Sequence, residues 1–135
     1  RKPGIRNLSS GAMVRVALQN GPGPVDLLSH QHPDQRGPVG AKLAALMAHL
    51  GRDTWIEAPF HCAYGVNIHL GDRVYLNAGC VLLDTAELRI GAGSMLGPQV
   101  QIYCPNHHKD REKRISGLER ARSVIVGEDV WIGGG

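Results

Sequence analysis

The sequence predicts an all-β solenoid: a left-handed parallel β-helix with a short N-terminal helix and one extruded loop. The first observation behind this is a six-residue period in the aliphatic residues. One series is Leu70, Leu76, Leu82 and Leu88, and a second lies two residues ahead, at Ile56, Cys62, Ile68, Val74, Cys80 and Ala86. The second observation is a glycine directly after the aliphatic residue, at Gly71, Gly91, Gly97, Gly127 and Gly133.

A period of six fits neither an amphipathic helix nor a simple alternating strand. It fits short strands laid in turn on the three faces of a prism, with parallel strands about 4.8 Å apart. We expect the aliphatic residue and the one two before it to point inward, and residues 18 apart to stack. The glycines suit corners that need a positive φ or a close backbone approach. After a two-residue slip the period resumes at Ile90, Leu96 and Ile102, and again at Val126 and Ile132.

The N-terminal part of the chain lacks this period. Residues 1–38 contain five prolines and five glycines and are predicted to be irregular, with Arg1 to Ala12 a non-native extension. Residues 39–55 are predicted to form a capping helix and a linker. The helix is expected over Val39 to Leu50, where leucines and a methionine share one face, and Gly51 ends it.

The β-helix is predicted over residues 56–135, with one interruption. Residues 103–122 break the six-residue rule and carry six Lys or Arg against three Asp or Glu. Long polar insertions in compact repeats are often functional, so we expect an extruded loop. The sequence stops in mid-repeat at Gly133-Gly134-Gly135, which predicts a β-helix incomplete at its C-terminus.

Composition narrows the classes of partner. The 135 residues have a net charge of +3, and aromatic residues make up only 4%, so platforms for stacking nucleic-acid bases are scarce. No apolar run reaches the length of a membrane span. Cys62 and Cys80 are expected one coil apart with parallel side chains. That geometry disfavours a disulfide, so reduced cysteines and a cytoplasmic protein are predicted.

Several motifs together resemble one known family. They are Tyr64-Gly65-Val66-Asn67-Ile68, Tyr75-Leu76-Asn77, Val81-Leu82-Leu83-Asp84, Ile102-Tyr103 with Asn106-His107, and Val130-Trp131-Ile132-Gly133. Over about residues 42–135 the chain resembles the hexapeptide-repeat sugar O-acetyltransferases, and within them the maltose, galactoside and nodulation acetyltransferases. The resemblance implies acetyl transfer from acetyl-CoA to the hydroxyl of a sugar or sugar-like acceptor. It also implies a homotrimer with active sites between neighbouring prisms, and it implies no metal.

The resemblance assigns His107, at the base of the loop, as the general base. Histidine suits this task because its ordinary pKa lies near the working pH. His108 departs from the family pattern, which usually has proline there. Asn77 matches a residue that contacts the acceptor or the reacting centre, and stabilisation of a coil turn is the alternative.

The remaining implied site residues concern the two substrates. Asp84 and Tyr64 are implied in acceptor binding, and a turn aspartate is the alternative for Asp84. Trp131 is implied in shaping the pocket for both substrates, or else it is a core or interface residue. Gly134 falls where the family's backbone lies along the pantetheine arm of the cofactor. The basic loop residues are expected to attract the phosphates of coenzyme A through their field.

Two other functions remain open on the sequence. The γ-type carbonic anhydrases share the solenoid, but they need three histidines around zinc. Only His107 and His108 lie in the loop, without a third nearby. A non-catalytic β-helix that serves as an assembly module is the other alternative.

Overall fold

The computed structural model describes residue 39 and residues 41–135; the predictions for residues 1–38 lie outside the described residues. Short strands dominate, and both helices are brief. In chain order the elements are α1 (Ala41–Leu46), β1 (His49–Leu50), β2 (Trp55–Ile56), β3 (His61–Cys62), β4 (Ile68–Leu70), β5 (Tyr75–Leu76), β6 (Val81–Leu83), β7 (Leu88–Ile90), β8 (Met95–Leu96), β9 (Gln101–Tyr103), β10 (Pro105–His107), α2 (Arg111–Ile115), β11 (Glu119–Ala121), β12 (Val124–Val126) and β13 (Trp131–Ile132).

The strands assemble into three parallel sheets that the chain visits in turn. The first sheet has the order β1-β4-β7-β12, the second β2-β5-β8-β13, and the third β3-β6-β9. Every pairing within these sheets is parallel. We call one passage of the chain through the three sheets a circuit. The prediction of parallel strand pairing is therefore confirmed.

The spacing between stacked residues is 20, so the prediction of 18 is wrong. Leu50 pairs with Leu70, and Leu70 with Ile90. Within a circuit the inward residues step by six, six and then eight positions, because two extra residues occupy the third corner. Since strand side chains alternate with a period of two, an insertion of two leaves the inward set unchanged. The same register puts Cys62 beside Leu82 and not in line with Cys80.

The aliphatic series fills the interior as predicted. Eight of its members have no solvent exposure: Ile68, Leu70, Val74, Leu76, Cys80, Leu82, Leu88 and Leu96. Within the strands, the residues that alternate with them are partly or fully exposed, as in β4 and β7, where the outer positions are buried and the middle one is not. Burying one such side chain contributes roughly 1.5–3 kcal/mol, so this column is the main source of stability.

The glycines at the first corner are explained by close approach. A Cβ on Gly71 would lie 2.5 Å from the backbone nitrogen of Ala92 in the next circuit. Gly71 and Gly91 do not have positive φ; the left-handed residues Arg73 and Gly93 come two positions later. Close backbone approach therefore explains the glycine itself, whereas the positive φ occurs two positions later in the chain.

The N-terminal helix is shorter than predicted. It ends at Leu46, and His49–Leu50 is a strand that pairs with β4, so the sheets begin before Ile56. The pairing of Leu50 with Leu70 competes successfully with continuation of the helix. Leu43 and Met47 still join the hydrophobic core, as their place on the predicted apolar face requires.

One insertion separates the third circuit from the strand that resumes the first sheet. Val124 pairs with Leu88, 36 positions away, so this circuit is 16 residues longer than the others. Within this insertion β10 and β11 form an antiparallel ribbon with α2 at its tip. Neither helix in the described residues has the length and apolar character that a membrane crossing requires.

Candidate active site

The ribbon that carries the candidate catalytic histidine is held by backbone pairing and a capped tip. Pro105 pairs with Ala121, and His107 with Glu119. At the tip, the Asp110 carboxylate accepts a hydrogen bond from the backbone N–H of Lys113 and caps α2. The Arg114 guanidinium donates to the backbone carbonyls of His108 and Lys109, at 2.9 and 3.1 Å. These contacts fix the segment that follows His107.

His107 faces a carboxylate across the ribbon. Its Nε2 lies 3.6 Å from Oε1 of Glu119, and the two side chains are 64% and 53% exposed. Residues directly opposite in an antiparallel pair share a face, so the contact follows from the strand register. Glu119 was not among the predicted site residues. A sequence signal for it would have required the pairing register of the ribbon, which the six-residue period does not contain.

A cleft of about 630 Å³ runs along the ribbon and its junction with the sheets. Its lining includes His107, His108 and the cations Lys109, Arg120 and Arg122. The structure therefore brings the candidate base and three of the six basic loop residues to one cavity. The backbone N–H of Asp110 donates to His108 Nδ1 at 3.1 Å. His108 is thus held by a backbone N–H, whereas the side chain of His107 lies against the Glu119 carboxylate.

Asn77 lies at a corner after β5, outside the lining of this cleft. Its side-chain oxygen accepts a hydrogen bond from the backbone N–H of Ala78 at 2.8 Å. The backbone N–H of Asn77 donates to the backbone carbonyl of Leu96 in the next circuit. Both contacts are the kind expected if Asn77 stabilises a coil turn. The side chain is half-buried and stays partly accessible.

Asp84 occupies the eight-residue step, as its position near the slip suggested. It has no solvent exposure. Its two carboxylate oxygens accept hydrogen bonds from the backbone N–H groups of Tyr64 and Asn67, at 2.8 and 3.2 Å, and the Asn67 amide donates to its carbonyl. Asp84 therefore joins the third corners of two circuits. This side chain has no exposed surface through which it could contact an acceptor directly.

The other predicted site residues are on the surface. Tyr64 is 41% exposed and Trp131 is 74% exposed, and neither lines the cleft. Trp131 pairs with Met95 in the second sheet, so it is not a core residue of this chain. Gly134 lies against Pro98, and a Cβ there would meet the Pro98 carbonyl oxygen at 3.2 Å.

The three cysteines are free and buried. Burial raises the pKa of the Cys62 thiol to about 12, and the negative charge of Asp84 adds to this effect. Burial also raises the pKa of the Cys80 and Cys104 thiols. The cysteines are therefore weak nucleophiles and metal ligands, because only the thiolate has either activity.

Within residue 39 and residues 41–135, there is no group of three or more His, Cys, Asp or Glu side chains that could hold a metal ion.

Comparisons with known proteins agree with this geometry. No family model matches the chain. Nodulation protein L of Rhizobium meliloti (strain 1021) is 47% identical over 89 residues, which are 66% of this chain and 49% of that protein. A maltose O-acetyltransferase from Clostridium difficile 630 superposes with a TM-score of 0.69 and 34% identity, covering 82% of this chain and 59% of the other. The resemblance to the hexapeptide-repeat acetyltransferases is confirmed.

A further hexapeptide-repeat acetyltransferase structure carries a bound ligand. This protein, from Vibrio cholerae O1 biovar eltor, is complexed with acetyl coenzyme A. It superposes with a TM-score of 0.67 and 31% identity, covering 82% of this chain and 60% of that one. The chain spans about half the length of the curated hexapeptide-repeat relatives that it matches.

Proposed function

We propose that this chain is part of an O-acetyltransferase that moves the acetyl group of acetyl-CoA to a hydroxyl of a sugar or sugar-like acceptor. The observation that carries the proposal is the similarity in sequence and fold to acetyltransferases, one of them complexed with acetyl coenzyme A. The three parallel sheets visited in turn also support the finer description of the fold, a left-handed β-helix.

His107 is the proposed general base. It lies in the cleft, its side chain is 64% exposed, and only a neutral imidazole can accept the hydroxyl proton. When His107 takes the proton it becomes cationic, and Glu119 at 3.6 Å stabilises that charge. The hydroxyl oxygen bonds to the acetyl carbonyl carbon, the C–S bond of the thioester breaks, and His107 passes the proton that it took to the departing thiolate sulfur, which returns His107 to its starting state.

Acetyl-CoA supplies an acetyl group that is activated as a thioester. The chain fits such a ligand in two respects. Gly134 has no side chain, so the pantetheine arm can approach its backbone closely. The cations in the cleft suit a ligand that carries phosphates.

The remaining residues are proposed to act around the acceptor. Tyr64 and Trp131 offer exposed aromatic surface, and Asn77 a partly accessible amide. Asp84 is proposed to act indirectly, because it is buried and its carboxylate holds the backbone of Tyr64. Since Asn77 lies outside the lining of the cleft, Asn77 and His107 of neighbouring copies are proposed to meet between prisms.

The proposed assembly is a homotrimer. The second sheet presents Met95 and Trp131 outward in register, 48% and 74% exposed, and such a paired apolar surface favours contact with another copy. The three free cysteines support the cytoplasm as the proposed compartment. Light scattering coupled to size-exclusion chromatography measures the oligomeric state, and a monomer at micromolar concentration would contradict the proposed homotrimer.

The deciding experiment is release of free thiol from acetyl-CoA with a panel of sugars and aminoglycosides. His107→Ala should lower kcat by about 10²–10⁴ without altering the circular dichroism spectrum. His108→Ala is the matched control, one residue away on the same ribbon, and its kcat should fall far less. The reverse ranking would refute His107 as the base. Absence of acceptor-dependent release in an extended natural protein would favour the non-catalytic assembly module.

A further inference from the structure

The ribbon has two faces with different chemistry. Side chains alternate between the faces of a strand, and directly paired residues share one face. His107 and Glu119 are paired on one face. Asn106 and Arg120, one position away on each strand, are paired on the other. Arg122 lies two positions beyond Arg120, and its N–H donates to the Cys104 carbonyl, so the same alternation places it with Arg120.

This second face consists of hydrogen-bond donors. Arg120 and Arg122 each carry a planar guanidinium, and Asn106 carries a side-chain amide. His108 continues the same alternation one residue past β10. Because its Nδ1 accepts from the N–H of Asp110, a neutral His108 has its proton on Nε2 and is a donor there. All four residues line the 630 Å³ cleft.

The nearby carboxylates are engaged elsewhere. Asp110 caps α2 through the Lys113 N–H, and Glu119 lies with His107 on the opposite face. The residues that line the cleft include Lys109 in addition to the two arginines, and none of them is acidic. Within residues 39 and 41–135, Arg120 and Arg122 form no ion pair with a carboxylate. The positive charge of this face is therefore available to a ligand.

We propose that the face formed by Asn106, His108, Arg120 and Arg122 is an anion site that binds a phosphate or carboxylate group. Guanidinium groups bind both oxyanions through paired hydrogen bonds, which a lysine cannot reproduce. The cleft is several times larger than one such group, so the anion is one end of a longer ligand. His107 follows Asn106 directly in the chain, which places this anchor next to the proposed base.

Binding of inorganic phosphate tests the site without reference to turnover. The double variant Arg120→Gln, Arg122→Gln is compared with Arg111→Gln, Lys113→Gln, which removes the same charge from α2 at the ribbon tip. Isothermal titration at constant ionic strength should show the phosphate dissociation constant rising about tenfold or more in the first variant, and less than about twofold in the second. Equal weakening in both would show only a diffuse positive field, and no change in either would remove the site.

The identity of the ligand that carries the anion rests on the proposed function and is resolved by kinetics. If the anion is a phosphate of acetyl-CoA, the Arg120→Gln, Arg122→Gln variant raises KM for acetyl-CoA and not for galactose. If it belongs to the acceptor, the unmodified protein prefers galacturonate or galactose 6-phosphate to galactose, and the variant loses that preference. Unchanged KM values with every substrate would overturn the proposal, although acetyl transfer itself would stand. If the unmodified protein shows no turnover, that result counts against the proposed function, and the phosphate titration alone decides whether the anion site exists.

Discussion

Replacement of Gly71 by alanine tests the explanation of the glycine that follows each aliphatic residue. A Cβ at this position would lie 2.5 Å from the nitrogen of Ala92 and 2.9 Å from its Cα, both backbone atoms of the next circuit. Ordinary carbon contacts begin at roughly 3.5 Å, so the two circuits would have to separate by roughly 1 Å. The hydrogen bond from the Gly71 N–H to the Ile90 carbonyl, with 2.8 Å between nitrogen and oxygen, would be stretched.

These two effects set the expected magnitude. Overpacking of a tight interior costs about 1–3 kcal/mol, and loss of one backbone hydrogen bond costs about 1 kcal/mol. The free energy of unfolding of Gly71→Ala should therefore fall by about 2–4 kcal/mol. Since small domains have a total stability of about 5–15 kcal/mol, this loss is large enough to measure by urea unfolding followed by far-UV circular dichroism.

Gly127 provides the matched control in the same column of glycines. In the 135-residue chain, where no later circuit follows, a Cβ on Gly127 would meet nothing nearer than Val130 Cγ2 at 3.8 Å, and its φ is not positive, so the comparison applies to this chain as given. Gly127→Ala should therefore be neutral or stabilising by about 0.4–1 kcal/mol, because alanine restricts the unfolded chain. A Gly71→Ala protein as stable as Gly127→Ala would refute the close-approach explanation.

Three further predictions concern the core, the site and the thiols. Leu76→Asp should abolish folding, because it puts an unpaired charge at a position with no exposure; Gln101→Asp, on an outward exposed position, should keep a native circular dichroism spectrum, and a folded Leu76→Asp protein would contradict the inward phase. Glu119→Gln should lower kcat for acetyl transfer by about 1.4- to fivefold, since an exposed ion pair contributes about 0.2–1 kcal/mol, and an unchanged kcat would show that Glu119 does not assist His107. Cys62 should resist iodoacetamide at pH 8 in the native protein and react after unfolding in urea, because its pKa of about 12 keeps the thiol protonated; mass spectrometry measures this, and rapid native alkylation would contradict its burial.

The inward positions were predictable from the sequence because they depend on a local rule. Alternation along a strand fixes which of Leu70, Leu76 and Leu82 point inward, whatever lies in the next circuit. The insertion at residues 103–122 was predictable for a similar reason, since polar and charged residues replace the aliphatic ones over a continuous stretch. The resemblance to the hexapeptide-repeat acetyltransferases rests on the same local motifs.

The candidate site was less accessible to such reasoning. His107 could be singled out by its motif, but its partner Glu119 lies twelve positions away and is selected by the ribbon register. Asp84 illustrates the opposite case, where a polar residue in a family motif has no exposed surface and holds two backbone N–H groups. The roles of His107, Asn77, Tyr64, Trp131 and Gly134 in catalysis and binding remain predictions.

The sequence by itself determined the all-β character, the apolar interior and the place of the insertion, because these follow from neighbours a few positions apart. Only the tertiary structure decided the 20-residue repeat, the pairing of Cys62 with Leu82, and the two faces of the ribbon. The physical reason is that a two-residue insertion at a corner preserves the alternation of inward and outward side chains. The aliphatic pattern shows this insertion as one slip before Ile90, whereas the strand pairing shows that it recurs in successive circuits and changes which residue each circuit places against the next.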